Sequence, residues 1–429
     1  MTSHEGSNSK AIFAWALYDF ANSSYSTLVL TFIYSTYFAN AVAPDEISGT
    51  STWSLGLFIS GLTVALCAPV AGAFADAGGL RKRFLFFLTL LAVVMTASLY
   101  TVVPGQVVRG ILLFVIANVA VEMGMVFYNA YLPDIAPLSR IGRISGYGWA
   151  FGYVGGLLAM LVAMVGFVEA ETPWFGFTKA NNEHIRATNL LVAAWFALFS
   201  LPIFYWVREK DRPRAPGGTL LASTFRQLRD TLKEIRTYRQ IIRLLVARLF
   251  YNDGLLTVFS FGGIYARGTF GFTFEEIMIF GIVLNITAGL GAYVLGFLDD
   301  RIGGKRTLQI SIIAFMLATA LAVIAGNKQI FWIAGIIIGI FSGPTQAASR
   351  SLMGRFIPAD KEGEFFGFYA FSGKATAFVG PLLLGLVTSL TNSQRAGIAT
   401  VIFFFLAGIL LLNRVDEREG CEAAARIKN

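Results

Sequence analysis

Apolar runs of about 20 residues, parted by short polar segments rich in Lys and Arg, recur from one end of the chain to the other. A helix rising 1.5 Å per residue needs roughly 20 residues to cross a hydrocarbon core. Twelve runs meet that length, at 11–39, 53–75, 84–104, 109–132, 145–169, 188–207, 241–266, 275–298, 307–325, 329–352, 365–390 and 395–413. The pattern predicts an all-α membrane protein with twelve transmembrane helices. The first run is too long for a cleaved leader and lacks a small-residue cleavage site, so it reads as a retained span. An even number of spans puts both termini on one side. With the N-terminus in the cytoplasm, the inner segments collect Lys10, Arg81, Lys82, Arg83, Arg140, Arg143, a dense set from Arg208 to Arg243, Arg301, Lys305, Arg306, Arg350, Arg355 and Lys361. The outer segments hold only Arg109, Lys179, Arg186, Arg267, Lys328 and Arg395. That asymmetry predicts cytoplasmic termini. The expected location is a prokaryotic inner membrane, with the chain crossing it many times.

Composition agrees. Hydrophobic residues make up 55% of the 429 and charged residues 14%, well below the roughly 25% charged of a soluble domain. The formal charge of +8 sits in short loops and not in a patch interleaved with aromatics, which sets nucleic acid aside as a partner. Cys67 lies in an apolar run and Cys421 in the tail, so no disulfide framework is implied. His4 and His184 are far apart, and no metal site or other cofactor is expected. No nucleotide-binding loop occurs, so transport would draw on ion or solute gradients. An intramembrane enzyme is not expected either, because the spans offer no paired nucleophile and base and no metal ligands.

The longest polar stretch, 208–240, divides the chain into 1–207, the linker itself, 241–414 and a tail at 415–429. Pro213, Pro216, Gly217 and Gly218 make its beginning a flexible connection. After it Phe225, Leu228, Leu232 and Ile235 recur at helical spacing among Arg226, Arg229, Lys233, Arg236 and Arg239. That is a basic amphipathic helix suited to the inner membrane surface, with anionic lipid as its partner.

The two halves repeat. Gly72 to Arg83 reads G-A-F-A-D-A-G-G-L-R-K-R and Gly296 to Arg306 reads G-F-L-D-D-R-I-G-G-K-R. Both fit G-x-x-x-D-x-x-G-x-K/R-K/R at an offset of 296 − 72 = 224. Asn129 to Pro137 and Arg350 to Pro358 align at 350 − 129 = 221, which also carries Gly146 onto Gly367 and Gly152 onto Gly373. A duplicated six-helix unit with this loop between its second and third helices resembles the major facilitator superfamily. The resemblance implies that Asp76 faces the start of span eleven and Asp300 the start of span five, gating the inner side together with Arg81, Lys305 and Arg306. It also implies a monomer. Four strings narrow the likeness: W-A-L-Y-D-F-A-N-S-S-Y from Trp15, A-R-L-F-Y-N-D-G from Ala247, G-P-T-Q-A-A-S-R-S-L-M-G-R from Gly343 and E-F-F-G-F-Y-A-F-S-G-K from Glu364. They are similar to the autophagy-related vacuolar amino-acid effluxer family and its bacterial relatives, whose yeast-type members imply export of neutral amino acids.

A charge at the bilayer centre costs about 2.5–3.5 kcal/mol even on the mildest scale, so intramembrane charges mark a function or a fixed partner. Five stand in the spans: Asp19, Glu122, Arg248, Asp253 and Lys374. Asn22, Asn129, Asn252 and Gln346 are polar neighbours on the same helices. A site of both signs suits a zwitterion: Lys374 or Arg248 for a carboxylate, and Asp19, Asp253 or Glu122 for an ammonium. Glu122, with no base beside it in sequence, is the first candidate for a coupling proton. The plain alternative is two fixed pairs, Arg248 with Asp253 and Lys374 with Asp19. Lys374 aligns with Tyr153 at the offset of 221, so the cluster is asymmetric between the halves. Gly148, Gly152 and Gly156, and Gly335, Gly339 and Gly343, are small-residue ladders for close helix packing. Pro344 and Pro381 break or kink their helices. The reading is a secondary transporter of a small polar or zwitterionic solute, an amino acid first, driven by protons through alternating access. Two alternatives stay open: an exporter of amphipathic drugs, lysolipids or siderophores, and a membrane sensor or scaffold that transports nothing.

Overall fold

The computed structural model describes residues 2–209, 220–233 and 236–426, without the side chains of 2–8, 220–222, 232 and 274. Pro213, Pro216, Gly217, Gly218, Ile235 and the side chain of Leu232 lie outside the described residues. The helices run in the order α1 (Thr2–Ser24), α2 (Glu46–Gly78), α3 (Arg81–Leu99), α4 (Val107–Ala130), α5 (Ile141–Ala163), α6 (Glu183–Trp206), α7 (Leu220–Lys233) and α8 (Arg239–Phe270). They continue as α9 (Phe274–Ile302), α10 (Gly304–Ile324), α11 (Lys328–Phe356), α12 (Glu362–Lys374), α13 (Val379–Thr391), α14 (Gln394–Asn413) and α15 (Glu417–Arg426). Among the described residues no strand occurs, and eleven helices are long and apolar enough to cross a membrane. The twelfth expected span, 11–39, changes at Tyr25 from α into π geometry over Tyr25–Phe32 and again over Phe38–Val42.

Span eleven, expected as one helix, is two. Residues 375–378 form turns between α12 and α13. Pro381 supplies the cause, since a proline offers no N–H and crowds the carbonyl four residues back, here that of Ala377. Pro344, by contrast, sits inside the uninterrupted α11.

Two compact units divide the chain. The first holds 1–67, 78–129 and 151–214, where α6 packs on α1 and α3. The second holds 215–429 together with 68–77 and 130–150, and its core pairs α9 with α11, α8 with α14 and α10 with α11. It therefore contains two crossings that join segments from both sequence halves, α2 on α12 and α5 on α9. A side-chain carbon added at Gly367 would lie 2.4 Å from the Ala68 carbonyl oxygen, and one added at Gly146 would lie 2.4 Å from that of Ala292. The two crossings are images of each other under the repeat: 367 − 146 = 221 and 292 − 68 = 224. Backbone meets backbone at both, which only glycine allows.

Gly146→Ala and Gly367→Ala should each lower stability by about 1–3 kcal/mol, read as a fall in the midpoint of thermal unfolding in detergent. Gly61→Ala, where the added carbon meets open space, should leave the midpoint unchanged or raise it.

Candidate functional site

In the first unit, Asp19 is buried in α1 and accepts a hydrogen bond from the Tyr128 hydroxyl at 2.8 Å. Tyr128 is stacked against Trp15 (centroids 4.6 Å apart) and Tyr18 (5.0 Å). The Trp15 indole donates to the Tyr128 carbonyl, and the Tyr18 hydroxyl pairs with that of Thr89. This aromatic stack holds Asp19 between α1 and α4. One turn on, Asn22 donates through Nδ2 to the Met125 sulfur at 3.4 Å, which fixes its amide orientation, while its Oδ1 is buried with no hydrogen-bond partner. The hydroxyls of Tyr25 and Tyr34 are buried and equally without partners. Glu122 is half-buried on α4, one turn before Met125. Asn129, half-buried, closes the same helix. Buried polar groups are nearly always satisfied, so the three orphans that follow Asp19 along the chain, Asn22 Oδ1 and the Tyr25 and Tyr34 hydroxyls, single out this stretch as a candidate site.

In the second unit, α8 grips both ends of the break in span eleven. Arg248 donates to the Tyr369 carbonyl at 2.9 Å and to the Ser372 hydroxyl at 3.0 Å, with its guanidinium 3.7 Å from the Tyr369 ring centre. A cation thus meets the C-terminal end of α12, where the helix dipole favours it. Asn252 donates to the Gly373 carbonyl at 3.3 Å and accepts from half-buried Gln346 at 3.2 Å. Asp253, 1% exposed, accepts the Gly380 N–H at 3.1 Å and so caps the first turn of α13. The fixed Arg248–Asp253 pair considered from sequence is therefore not made: each charge is taken up by a helix end instead. Lys374, half-buried, is the last residue of α12, beside the break.

Also in this unit, Asp76 accepts from the backbone N–H of Gly363 (3.1 Å) and Glu364 (2.8 Å) at the start of α12. Asp300 accepts from Gly142 (2.9 Å) and Arg143 (3.3 Å) at the start of α5, and pairs with the Arg143 side chain. The acceptors are 300 − 76 = 224 apart and the donors 363 − 142 = 221 apart, so these contacts obey the repeat as well. Of the other residues grouped with them, Arg81 is buried in the first unit and Arg306 is exposed. Lys305 gives its N–H to Glu417 at 2.9 Å and its ammonium to the Asn413 carbonyl at 3.1 Å.

Sequence reasoning missed several partners. Asp299, the other half of an Asp-Asp pair, is buried with Arg355 (2.7 Å) and the Ser351 hydroxyl, and Arg355 also reaches Glu417 at 3.3 Å. Arg350 is buried and donates to the hydroxyl and carbonyl of Ser145 at 2.9 and 2.7 Å. On α7, Thr224 and Thr231 are buried and Gln227 donates to Glu364 at 2.7 Å, while Lys361 donates to Thr231 at 3.0 Å. A polar stripe thus seats this helix on the unit and leaves Phe225 exposed.

Comparisons with known proteins agree with this architecture. Residues 41–425 match the family model described as "Vacuole effluxer Atg22 like". The chain is 29% identical over 420 residues to the uncharacterized MFS-type transporter YxiO of Bacillus subtilis, covering 96% of each. It is 22% identical to autophagy-related protein 22 of Yarrowia lipolytica, covering 87% of this chain and 76% of that one. Among solved structures it superposes on the proton:xylose symporter XylE (TM-score 0.76, 12% identity, 99% and 100% covered). It also superposes on the human organic anion transporter MFSD10 (TM-score 0.73, 15% identity, 94% and 99% covered).

Asp76→Ala and Asp300→Ala should each cost about 1 kcal/mol, as loss of a helix cap does. Amide exchange followed by mass spectrometry should show faster exchange at 363–364 in the first and at 142–143 in the second. Arg355→Ala, which strands the buried Asp299 carboxylate, should destabilise by about 3–5 kcal/mol in thermal unfolding, and Arg355→Ala with Asp299→Asn by less.

Proposed function

This chain belongs to the Atg22-like vacuole effluxer family and has the major facilitator fold, and from that premise we propose that it moves a small polar or zwitterionic solute, an amino acid first, by proton-driven alternating access. It is an integral multi-pass membrane transporter; its family and structural neighbours are transporters and not enzymes. The observation that carries the solute class is the group of orphaned atoms in the first unit. An ammonium has three donors and no acceptor. Asn22 Oδ1, the Tyr25 oxygen and the Glu122 carboxylate would take all three, with Asp19 and Asn129 as further acceptors on the same two helices. A neutral apolar cargo would leave Asn22 Oδ1 and the Tyr25 and Tyr34 hydroxyls unsatisfied, at a cost of about 1–3 kcal/mol each.

The remaining features fit the same reading. Asp76 and Asp300, with Arg81, Lys305 and Arg306 nearby in sequence, form the inner gate. Lys374 supplies a cation for an acidic group of the solute. The exposed Phe225, Arg226 and Arg229 of α7 turn toward anionic lipid, and the excess of Lys and Arg at one end keeps both termini cytoplasmic. Likeness along 96% of a Bacillus protein fits a bacterial cytoplasmic membrane, where a monomer is the expectation of the fold.

Proteoliposomes loaded with unlabelled neutral amino acids should take up the labelled form by counterflow, and an imposed pH gradient should drive accumulation. Asn22→Ala and Glu122→Gln should each raise KM by about 10- to 100-fold, the value of a hydrogen bond to a charged group. No exchange of any amino acid by wild-type protein defeats the assignment.

A further inference from the structure

Asp253 is an unusual carboxylate. It is 1% exposed, and Oδ2 accepts one N–H, from Gly380, while Oδ1 is buried with no partner at all. The nearest hydroxyl cannot serve it, because Thr257 gives its proton to the Asp253 carbonyl at 2.7 Å. Among the described residues Asp253 makes no ion pair. On its own helix, Arg248 is committed to Tyr369 and Ser372, and Tyr251 to Ser349. On α11, Arg350 is committed to Ser145. On α12, Lys374 is not within ion-pair distance, α13 has no ionisable residue, and Arg395 of α14 donates to the Val323 and Ala325 carbonyls. An ionised carboxylate in this place has one hydrogen bond and a helix end to offset its desolvation, and neutralisation by a bound cation is the direct relief. Oδ1 is the free valence. A proton needs no further ligand, whereas a metal cation would need several oxygens.

The hydrogen bond it does make is placed to matter. Gly380 opens the first turn of α13, immediately after the 375–378 break and before Pro381. A side-chain carbon at Gly380 would lie 2.1 Å from the Thr257 hydroxyl, so the α13 N-terminus is drawn tight against α8. The other side of the break is held by the guanidinium of Arg248 and the amide of Asn252.

We propose that Asp253 is a proton-binding site that locks and releases the α13 half of the broken helix. Ionised, it holds the Gly380 N–H and the positive end of α13; protonated on Oδ1, it loses the charge that makes that contact strong. The α12 side stays clamped, so the proton frees one half of the span relative to the other. This rests on the proton-driven reading above and names the group that would carry the proton: Asp253 for the proton, with Glu122 left to the solute.

The test is amide exchange of the full chain in detergent, followed by mass spectrometry from about pH 5 to about pH 8 and corrected for intrinsic exchange. In wild type, peptides covering 376–385 should exchange about tenfold faster at the acid end, the value of a hydrogen bond losing its charge. Asp253→Asn should exchange fast at every pH, and Asp253→Glu should keep a pH response with a shifted midpoint. Gly380→Ala, which pushes α13 off α8, should exchange fast and without pH dependence even if Asp253→Asn does not fold. The proposal is overturned if wild-type exchange at 376–385 is independent of pH, if Asp253→Asn keeps the wild-type response, or if sodium at fixed pH produces the change in place of protons. Wild-type counterflow at equal pH on both sides moves no net proton, so its absence counts against the transport reading and leaves the lock to be judged by exchange alone.

Discussion

A carboxylate seated on the first turn of a helix from another element recurs five times among the described residues. Asp76 holds α12, Asp300 holds α5, Asp253 holds α13, Glu417 holds α10 and Glu209 holds α3. The need is physical. The first four N–H groups of any helix lack partners within it, and in or near lipid no bulk water is there to supply them. A carboxylate meets the need twice over, by accepting the hydrogen bond and by complementing the helix dipole. Asp76, Asp300 and Glu417 thereby tie two helices together near their ends, whereas Asp253 reaches α13 from the middle of α8 and Glu209 reaches α3 from the segment after α6.

The repeat turns this single interaction into a matched set. Asp76 and Asp300, Gly367 and Gly146, and the carbonyls of Ala68 and Ala292 are pairs under offsets of 221 and 224. Position 374 breaks the symmetry, since its counterpart is Tyr153. The break in span eleven lies directly after it. Arg248, Asn252 and Asp253 in α8 are all spent on the two helix ends this break creates. The second unit thus turns Arg248, Asn252 and Asp253 to a structural interruption and leaves Asp253 Oδ1 over, while in the first Asn22 Oδ1 and the Tyr25 and Tyr34 hydroxyls lack partners.

Much of this was legible from sequence. Apolar run length predicted the spans, and the repeated loop motif pointed to a family whose resemblance implied the fold and the helix starts opposite Asp76 and Asp300. The candidate site was legible only as a list of buried charges. Nothing in spacing could say that Arg248 and Asp253, five residues apart, would turn to opposite ends of a broken helix and not to each other. Tyr25 and Tyr34 were invisible for a different reason. Nine residues are about 2.5 turns of an α-helix, which puts the two on opposite faces. The π-helical stretch Tyr25–Phe32 winds more residues into each turn and so shifts that phase. Periodicity arguments assume one winding, and here the winding changes where the chemistry is.

The glycine crossings have a mechanical side. Helices usually interlock through ridges of side chains that fit the grooves of their neighbours, and such packing resists sliding as strongly as it resists separation. Where α2 meets α12 and α5 meets α9, the contact at Gly367 and Gly146 is carbonyl oxygen against bare backbone, with no ridge to climb. Those crossings set helix separation by backbone contact alone, and the carboxylates Asp76 and Asp300 tie the same two helix pairs at their ends.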